Sequence, residues 1–448
     1  MNNNTQLLQI IVGDIVREPA PDNLLEGDAA ARWSKVPQFS FALVTGSGER
    51  VGIRRNGAVA ASKLASSLAK THPQYHRGAH PRNLTTAIAR ASIDAFVGRE
   101  PASISSIDLE ALEKEVSEWF AANVMPRKYF VPCSIIPDYA LSFAIGPVAF
   151  SHRVDFLEQK GIRVENQNDK IVYGPLLQAM DERYATWIAE VEIDGCEEAR
   201  ASKMADLAVD VALVGIQMVI PLSYSREMAR ITGRTMPAWI GNVYTSASQT
   251  STTIHRRDPG LGFSGGAFDS FRSNQTVILE SIGRRVEVYV RGSAKLQNLE
   301  QGWCDAAYWF HEGLAEPLDT IAVAKLETAI EALLAPGSTK LSNERLCHAI
   351  QAFYGLKKTD RLGTNASITV AAFVKEIVGA RSQILHGTFS TLSENVGVTR
   401  GNVEGLSFDL LRLSSLALDK YRASTAPTDN AKAFLGWIDG QRQAGASG

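Results

Sequence analysis

The chain has 448 residues, 45% of them apolar and 21% charged, an ordinary globular composition in a chain too long for one core at roughly 100–200 residues per domain. Its 46 Lys and Arg against 48 Asp and Glu leave a formal charge of −2, which excludes an all-basic nucleic-acid glove but leaves room for a small local RNA site. Cys133, Cys196, Cys304 and Cys347 are far apart and form no Cys-x-x-Cys pair, so neither a disulfide framework nor a cysteine zinc site is expected.

Residues 1–5 show no basic or long apolar stretch, so no signal peptide is expected. The longest apolar run, 204–222, is interrupted by Asp206, Asp210 and Gln217 and closed by Pro221. It reads as a buried helix rather than a membrane span, and the expectation is a cytoplasmic protein without membrane contact.

In chain order, residues 38–54 predict a hairpin. Residues 39–44 alternate, Gly46-Ser47-Gly48 turns, and Val51-Gly52-Ile53 returns. Helical patterns follow near 59–71, 83–97 and 107–124. Strands are expected within 128–150 and 186–193, and a long helix over 197–219. Residues 234–295 read as strand-rich, ending in Val277-Ile278-Leu279 and Val286 to Val290. From 300 to 425 the pattern is nearly all helix. Helices are expected at 302–315, 319–335, 342–355, 367–386 and 403–421, with Pro317, Pro336-Gly337, Gly355 and Gly387 as stops and Ser342 as an N-cap. The tail after 425 is small and polar, and its last residues are expected to be mobile. The expected class is α+β: a mixed α/β region over 1–299, of one or two subdomains, then an all-α bundle over 300–425 and a tail over 426–448.

The sharpest feature lies in the 367–386 helix. Phe373, Val374, Ile377, Val378, Ile384 and Leu385 follow the spacing of one buried face, and Arg381 sits among them. A buried guanidinium costs several kcal/mol, by order of magnitude, unless paired. His386 follows one turn later, directly before Gly387. No metal-ligand spacing surrounds the two. Their joint competence is phosphate chemistry: Arg holds phosphate through paired hydrogen bonds, and His moves a proton near neutral pH while a ribose 2′-hydroxyl attacks. Residues five apart lie about 140° apart around a helix, so a twofold-related copy would be needed to bring both to one phosphate. The plainer reading of the same residues stays open. Arg381 can snorkel or pair with an acid such as Glu331, and a His before a terminal Gly is a common helix end.

The segment from Arg381 to Gly387, Arg-Ser-Gln-Ile-Leu-His-Gly, resembles the R-x4-6-H motif of HEPN domains, and more narrowly the Apea-like branch. Leu326-Glu327-Thr328-Ala329-Ile330-Glu331-Ala332-Leu333-Leu334 resembles the "ALEALL" helix of that branch. The likeness covers 300–425, under a third of the chain. It implies a helical bundle that dimerises so that two motifs meet in a cleft, and a metal-independent ribonuclease that leaves a cyclic phosphate and serves as a toxin or antiviral effector. On that likeness Arg381 binds and stabilises the phosphate, His386 is the acid or base, Glu331 orients Arg381, and Ser382 takes the position after the arginine. Ser382 departs from the wider family, where Asn, His or Asp is often found, though not from the Apea-like pattern. The expected partners are RNA, a second copy of the chain or a larger homo-oligomer, and a phage-derived trigger or an antitoxin. No cofactor is expected. The alternative is a non-catalytic HEPN module that only dimerises or docks a partner protein or nucleic acid.

Other signals are weaker. Lys357, Lys358 and Arg361 precede the motif helix and could hold RNA phosphates near the site, or be solvated loop charges. Gly260 to Gly265 fits G-x-G-x-x-G, but Arg256-Arg257-Asp258-Pro259 is a poor strand and a glycine-rich loop is the better reading. His72, His76 and His80 are spaced by four, but Pro73, Gly78 and Pro81 break any helix that would make them metal ligands. His311 and Glu312 have no telling spacing, and Trp303, Tyr308, Trp309 and Phe310 read as core. Residues 300–425 hold 12 Lys or Arg against 14 Asp or Glu, so any RNA site there is a small cleft. Residues 1–299 show no catalytic constellation and resemble the sensing or regulatory regions of such defence proteins by position alone.

Overall fold

A computed structural model describes residues 3–18, 39–44, 50–163, 165–231, 239–246, 249–256, 259–260, 262, 264–292, 295–335, 337–362, 368–388, 390 and 400–446. A region mixing strands and helices is followed by a largely helical one. The chain divides into two compact units, Met1–Arg127 with Ile193–Lys203, and Lys128–Glu192 with Met204–Gly448.

The first unit contains α1 (Asn3–Gly13), β1 (Ile15–Glu18), β2 (Phe41–Val44), β3 (Arg50–Ile53), α2 (Arg55–Thr71), α3 (Pro73–Gly78), α4 (Pro81–Phe96) and α5 (Ser106–Asn123). β2 and β3 pair antiparallel with Phe41 opposite Ile53 and Val44 opposite Arg50, as the alternation predicts. The 46–48 turn lies outside the described residues. β1 adds to the other edge of β3, Ile15 opposite Ile53. That strand has four residues, too few to show a period. Leu8, Ile11, Leu64, Leu68, Ile88 and Val116 join α1, α2, α4 and α5 in one core. Ser105 and Asp108 form the capping box that starts α5.

The second unit holds a five-stranded sheet in the order β5-β6-β7-β4-β8, from β4 (Arg127–Ser134), β5 (Phe143–Ile145), β6 (Val148–His152), β7 (Trp187–Ile193) and β8 (Ala229–Arg230). Helices α6 (Arg153–Lys160), α7 (Gln167–Glu182), α8 (Glu198–Gln217) and α9 (Leu222–Ser225) interleave with these strands, and β9 (Trp239–Thr245) and β10 (Thr250–Arg256) form a separate antiparallel ribbon. α8 occupies the long apolar run. Among the described residues no helix is long and apolar enough to cross a membrane.

The helical part begins earlier and ends later than the pattern predicts. It comprises α10 (Gly265–Ser273), α11 (Thr276–Arg291), α12 (Gln297–Ala315), α13 (Asp319–Leu334), α14 (Thr339–Tyr354), α15 (Val370–Leu385), α16 (Arg400–Arg422) and α17 (Ala431–Ala446). Residues 277–290, expected as strands, are α11. Ile278, Ile282, Val286 and Val290 recur at every fourth position and all are buried, so burial of one helical face overrides their β-branched preference. The tail expected after 425 contains α17, whose Phe434 and Leu435 are buried. Asp429 ties the same segment to the start of α12 by accepting from the Asn298 and Leu299 amides, at 2.8 and 2.9 Å.

A buried ionic cluster binds α11, α12 and α16. Arg285 is 0% exposed. It pairs with buried Glu300 and, at 2.7 Å, with Asp419, and donates to the Ser415 carbonyl at 3.0 Å. Arg400 closes the other end of α12, donating to the carbonyls of Leu314 and Glu316 at 2.6 Å each. Its Nε pairs with Glu404 at 2.7 Å.

Candidate functional site

α15 lies against α13 and α14. Val370, Val374, Ile377, Val378 and Ile384 form its buried face. Phe373 is half-buried, and Leu385, expected inside, is 62% exposed. Leu385 falls about 100° beyond Ile384 around the axis, which turns it out of the stripe at the last turn.

Arg381 sits at the margin of that face with its side chain 26% exposed. Its Nη1 pairs with Glu331 Oε2 at 2.8 Å, and its Nε lies 3.1 Å from Glu327 Oε2. The second contact is poorly aligned, so neither atom counts it as a hydrogen bond. Glu327 and Glu331 are one turn apart on α13 and face the same guanidinium. Glu327 is 1% exposed. Burial, reinforced by the charge of Glu331 and opposed by Arg381, pushes its carboxyl up to about 8. Near neutral pH Glu327 therefore keeps its proton beside the guanidinium. Glu331 is held from its other side by the Ser342 hydroxyl at 2.5 Å. Ser342 is thus not the N-cap of α14. Ser338 is, accepting from the Leu341 amide.

His386 is the C-cap of α15 and is exposed. The Gly387 amide bonds to the Ile384 carbonyl at 3.1 Å, and the Thr388 amide to the Gln383 carbonyl at 3.1 Å. These two bonds make a Schellman motif, with Gly387 at φ 66° supplying the left-handed residue that it needs. The glycine thereby fixes where the ring leaves the helix. Ser382 is half-buried, and its carbonyl accepts from the His386 amide at 3.0 Å. Arg381 turns inward to α13 while His386 stands at the surface, so one protomer does not bring them to a single point.

Lys357, Lys358 and Arg361 are exposed, but they are not beside His386. The Lys358 carbonyl accepts from the Ala371 amide at 3.0 Å, and Arg361 bridges Thr369. The loop therefore caps the start of α15, about 24 Å along the helix from His386 at 1.5 Å per residue. Within the chain these cations, which could hold RNA phosphates near the site or be solvated loop charges, stand at the opposite end of the helix from His386.

The remaining signals resolve into structure. Strand β10 precedes the glycine-rich stretch and α10 follows it, but β10 belongs to an antiparallel ribbon. A Cβ at Gly262 would come within 1.9 Å of Tyr224, and one at Gly265 within 1.7 Å of the Tyr139 carbonyl. Gly262 and Gly265 therefore serve close packing against Tyr224 and the Tyr139 backbone. His76 lies in α3 while His72 and His80 flank it, and the described residues contain no group of three His, Cys, Asp or Glu able to hold a metal. Trp303 and Phe310 are fully buried as expected, whereas Trp309 reaches the surface. His311 carries more than its spacing suggested. It is buried, with Nδ1 3.1 Å from Gln217 Oε1 and Nε2 3.7 Å from Asp210.

Glu327 is the site residue that the sequence reading passed over. Its signal was present as the i, i+4 spacing to Glu331. No family model, curated protein or solved structure matches the chain.

Proposed function

We propose that the chain is a metal-independent endoribonuclease of HEPN type, working in the cytoplasm as an antiviral effector or toxin, with two Arg381–His386 motifs meeting across a homodimer. The observation that carries this reading is the pairing of an arginine anchored by two α13 carboxyls with a solvent-facing histidine at the end of the same helix. Arg381, oriented by Glu331 and Glu327, holds the scissile phosphate and stabilises its growing charge. His386 takes the 2′-hydroxyl proton or protonates the leaving 5′-oxygen. Ser382 follows Arg381 on the same helix, and its half-buried hydroxyl is the third polar group of the motif. Exposed Leu385 beside His386 is a natural apolar contact for the twofold partner. Lys357, Lys358 and Arg361 then serve RNA bound along α15 rather than the reacting phosphate.

One observation favours the second reading, a HEPN module that only dimerises or docks a partner. Arg381 is already engaged by two carboxyls, so a phosphate must compete for it. The experiment that separates the two is RNA cleavage in excess chelator, read as 2′,3′-cyclic phosphate ends. The catalytic reading expects His386→Ala to lower the rate by about 10²-fold or more, the range for loss of an acid–base group. It also expects an unchanged melting temperature, because His386 is exposed. Equal rates for wild type and His386→Ala would remove the histidine from catalysis.

A further inference from the structure

The near-neutral total conceals a strongly basic segment. The 44 residues from Arg50 to Ile93 hold eight Lys or Arg and no Asp or Glu. This segment is at +8 in a chain whose total is −2, so the rest of the chain stands at −10. Its centre is α2. Gly57, Ala60, Ala61, Leu64, Ala65 and Leu68 bury one face of that helix. The opposite face exposes Arg55, Ser62, Lys63, Ser66 and Lys70, with exposed Arg54 just before the helix. At 3.6 residues per turn, Arg55, Lys63 and Lys70 fall within an arc of about 80° and stand about 12 and 10 Å apart along the axis. Among the described residues no carboxylate pairs with Arg54, Arg55, Lys63 or Lys70. Arg54 and Arg55 also sit at the positive end of the helix, where cations are disfavoured. The nearby Asp14 carboxylate accepts from the Gly57 amide at 2.6 Å.

The chemistry of this face selects its partner. A membrane-surface helix needs a row of large apolar residues, and a protein interface needs a buried apolar or aromatic anchor. Val59 is the one large apolar side chain exposed along α2. Single-stranded nucleic acid calls for exposed aromatics on which bases stack, and this face carries none. What it offers is a line of cations around the Ser62 hydroxyl, a donor of the kind that contacts phosphate oxygens; the Ser66 hydroxyl donates to the Ser62 carbonyl at 2.9 Å. The cation spacing is comparable to a duplex groove about 12 Å wide. We propose that the exposed face of α2, with Arg54, docks on the sugar–phosphate backbone of a B-form DNA duplex. This surface is separate from the Arg381 site and does not depend on its reading.

The test is fluorescence anisotropy of the full chain with a short labelled DNA duplex of mixed sequence, over a salt series. Wild type should bind with a steep salt dependence. The triple variant Arg55→Glu, Lys63→Glu, Lys70→Glu should lose at least about tenfold in affinity, with a log–log salt slope shallower by about 2.7 for three lost phosphate contacts. The corresponding triple Gln variant should move the same way by less, and it retains the test should charge reversal impair folding, which thermal melts would show. Lys114→Glu, on exposed α5 beside Glu118, should bind as wild type does. Equal duplex affinity for wild type and both triple variants would overturn the proposal. So would a wild type that ignores duplex and binds only single strands or phosphatidylserine vesicles.

Discussion

Two glutamates share one arginine at the end of α13, and the proton they hold makes a measurable prediction. Glu327 ionises near 8 in the folded protein and near its ordinary value of about 4.3 in the unfolded chain. Between those limits the folded state keeps a proton that the unfolded state has lost, so stability falls as pH rises from about 4.3 to 8 and then levels. The decline amounts to a few kcal/mol, by order of magnitude. Glu327→Gln is neutral throughout, and its melting temperature should vary less between pH 5 and 9 than that of wild type. Parallel curves for the two proteins would show that Glu327 is already ionised at pH 5. Arg381→Ala leaves Glu327 and Glu331 facing one another without a cation. It should cost about 2–3 kcal/mol in chemical denaturation at pH 8, and less at pH 5, where Glu327 keeps its proton. Of this cluster the apolar spacing around Arg381 and its pairing with Glu331 were legible in the sequence. The depth of Glu327 was not, because burial of a particular carboxyl depends on how closely α15 lies on α13.

Among the elements, α11 shows how a local preference yields to packing. Its sequence is rich in Val and Ile, and read alone it points to strands. Its fourfold spacing of Ile278, Ile282, Val286 and Val290 meets α12, and the helix is held there by the Arg285–Glu300–Asp419 cluster. Arg285→Met should destabilise the protein by about 3–5 kcal/mol in urea unfolding, because it strands Glu300 in the core without its cation. The double change Arg285→Met with Glu300→Leu should recover much of that loss, since an apolar pair of similar volume avoids the desolvation penalty. A double variant no more stable than the single one would mean that the cluster specifies the packing of α11 rather than merely neutralising charge. The hairpin of β2 and β3, the helices α2, α4, α5 and α8, and the helices α12 to α16 were readable from period and punctuation alone. β1 was too short to show a period. α17 carried its apolar residues in a segment dominated by Gly, Ala and polar residues, so composition masked it.

For the molecule as a whole, the charge total was the least informative number in the sequence, since it averages a +8 segment with a remainder at −10. Assembly is the other question at this scale. If two motifs meet across a twofold axis, Leu385 belongs at that contact. Leu385→Asp should then shift sedimentation from dimer toward monomer while the melting temperature stays near that of the wild type, because an exposed side chain contributes little to the fold. A wild type that is monomeric at every concentration would remove the geometric basis for joint action of Arg381 and His386. By itself the sequence determined the order of strand-bearing and helical regions, most helix positions and the presence of an arginine on an apolar stripe with a histidine at the glycine stop that follows. Periodicity, glycine stops and the rarity of an arginine on an apolar stripe are local properties of a chain. Only the tertiary structure decided that the Lys357–Arg361 loop sits at the far end of α15, that Glu327 joins Glu331 at Arg381, and that Arg55, Lys63 and Lys70 share one exposed face of α2. Each of these depends on distances between elements or on which helical face is covered, and both are settled by packing.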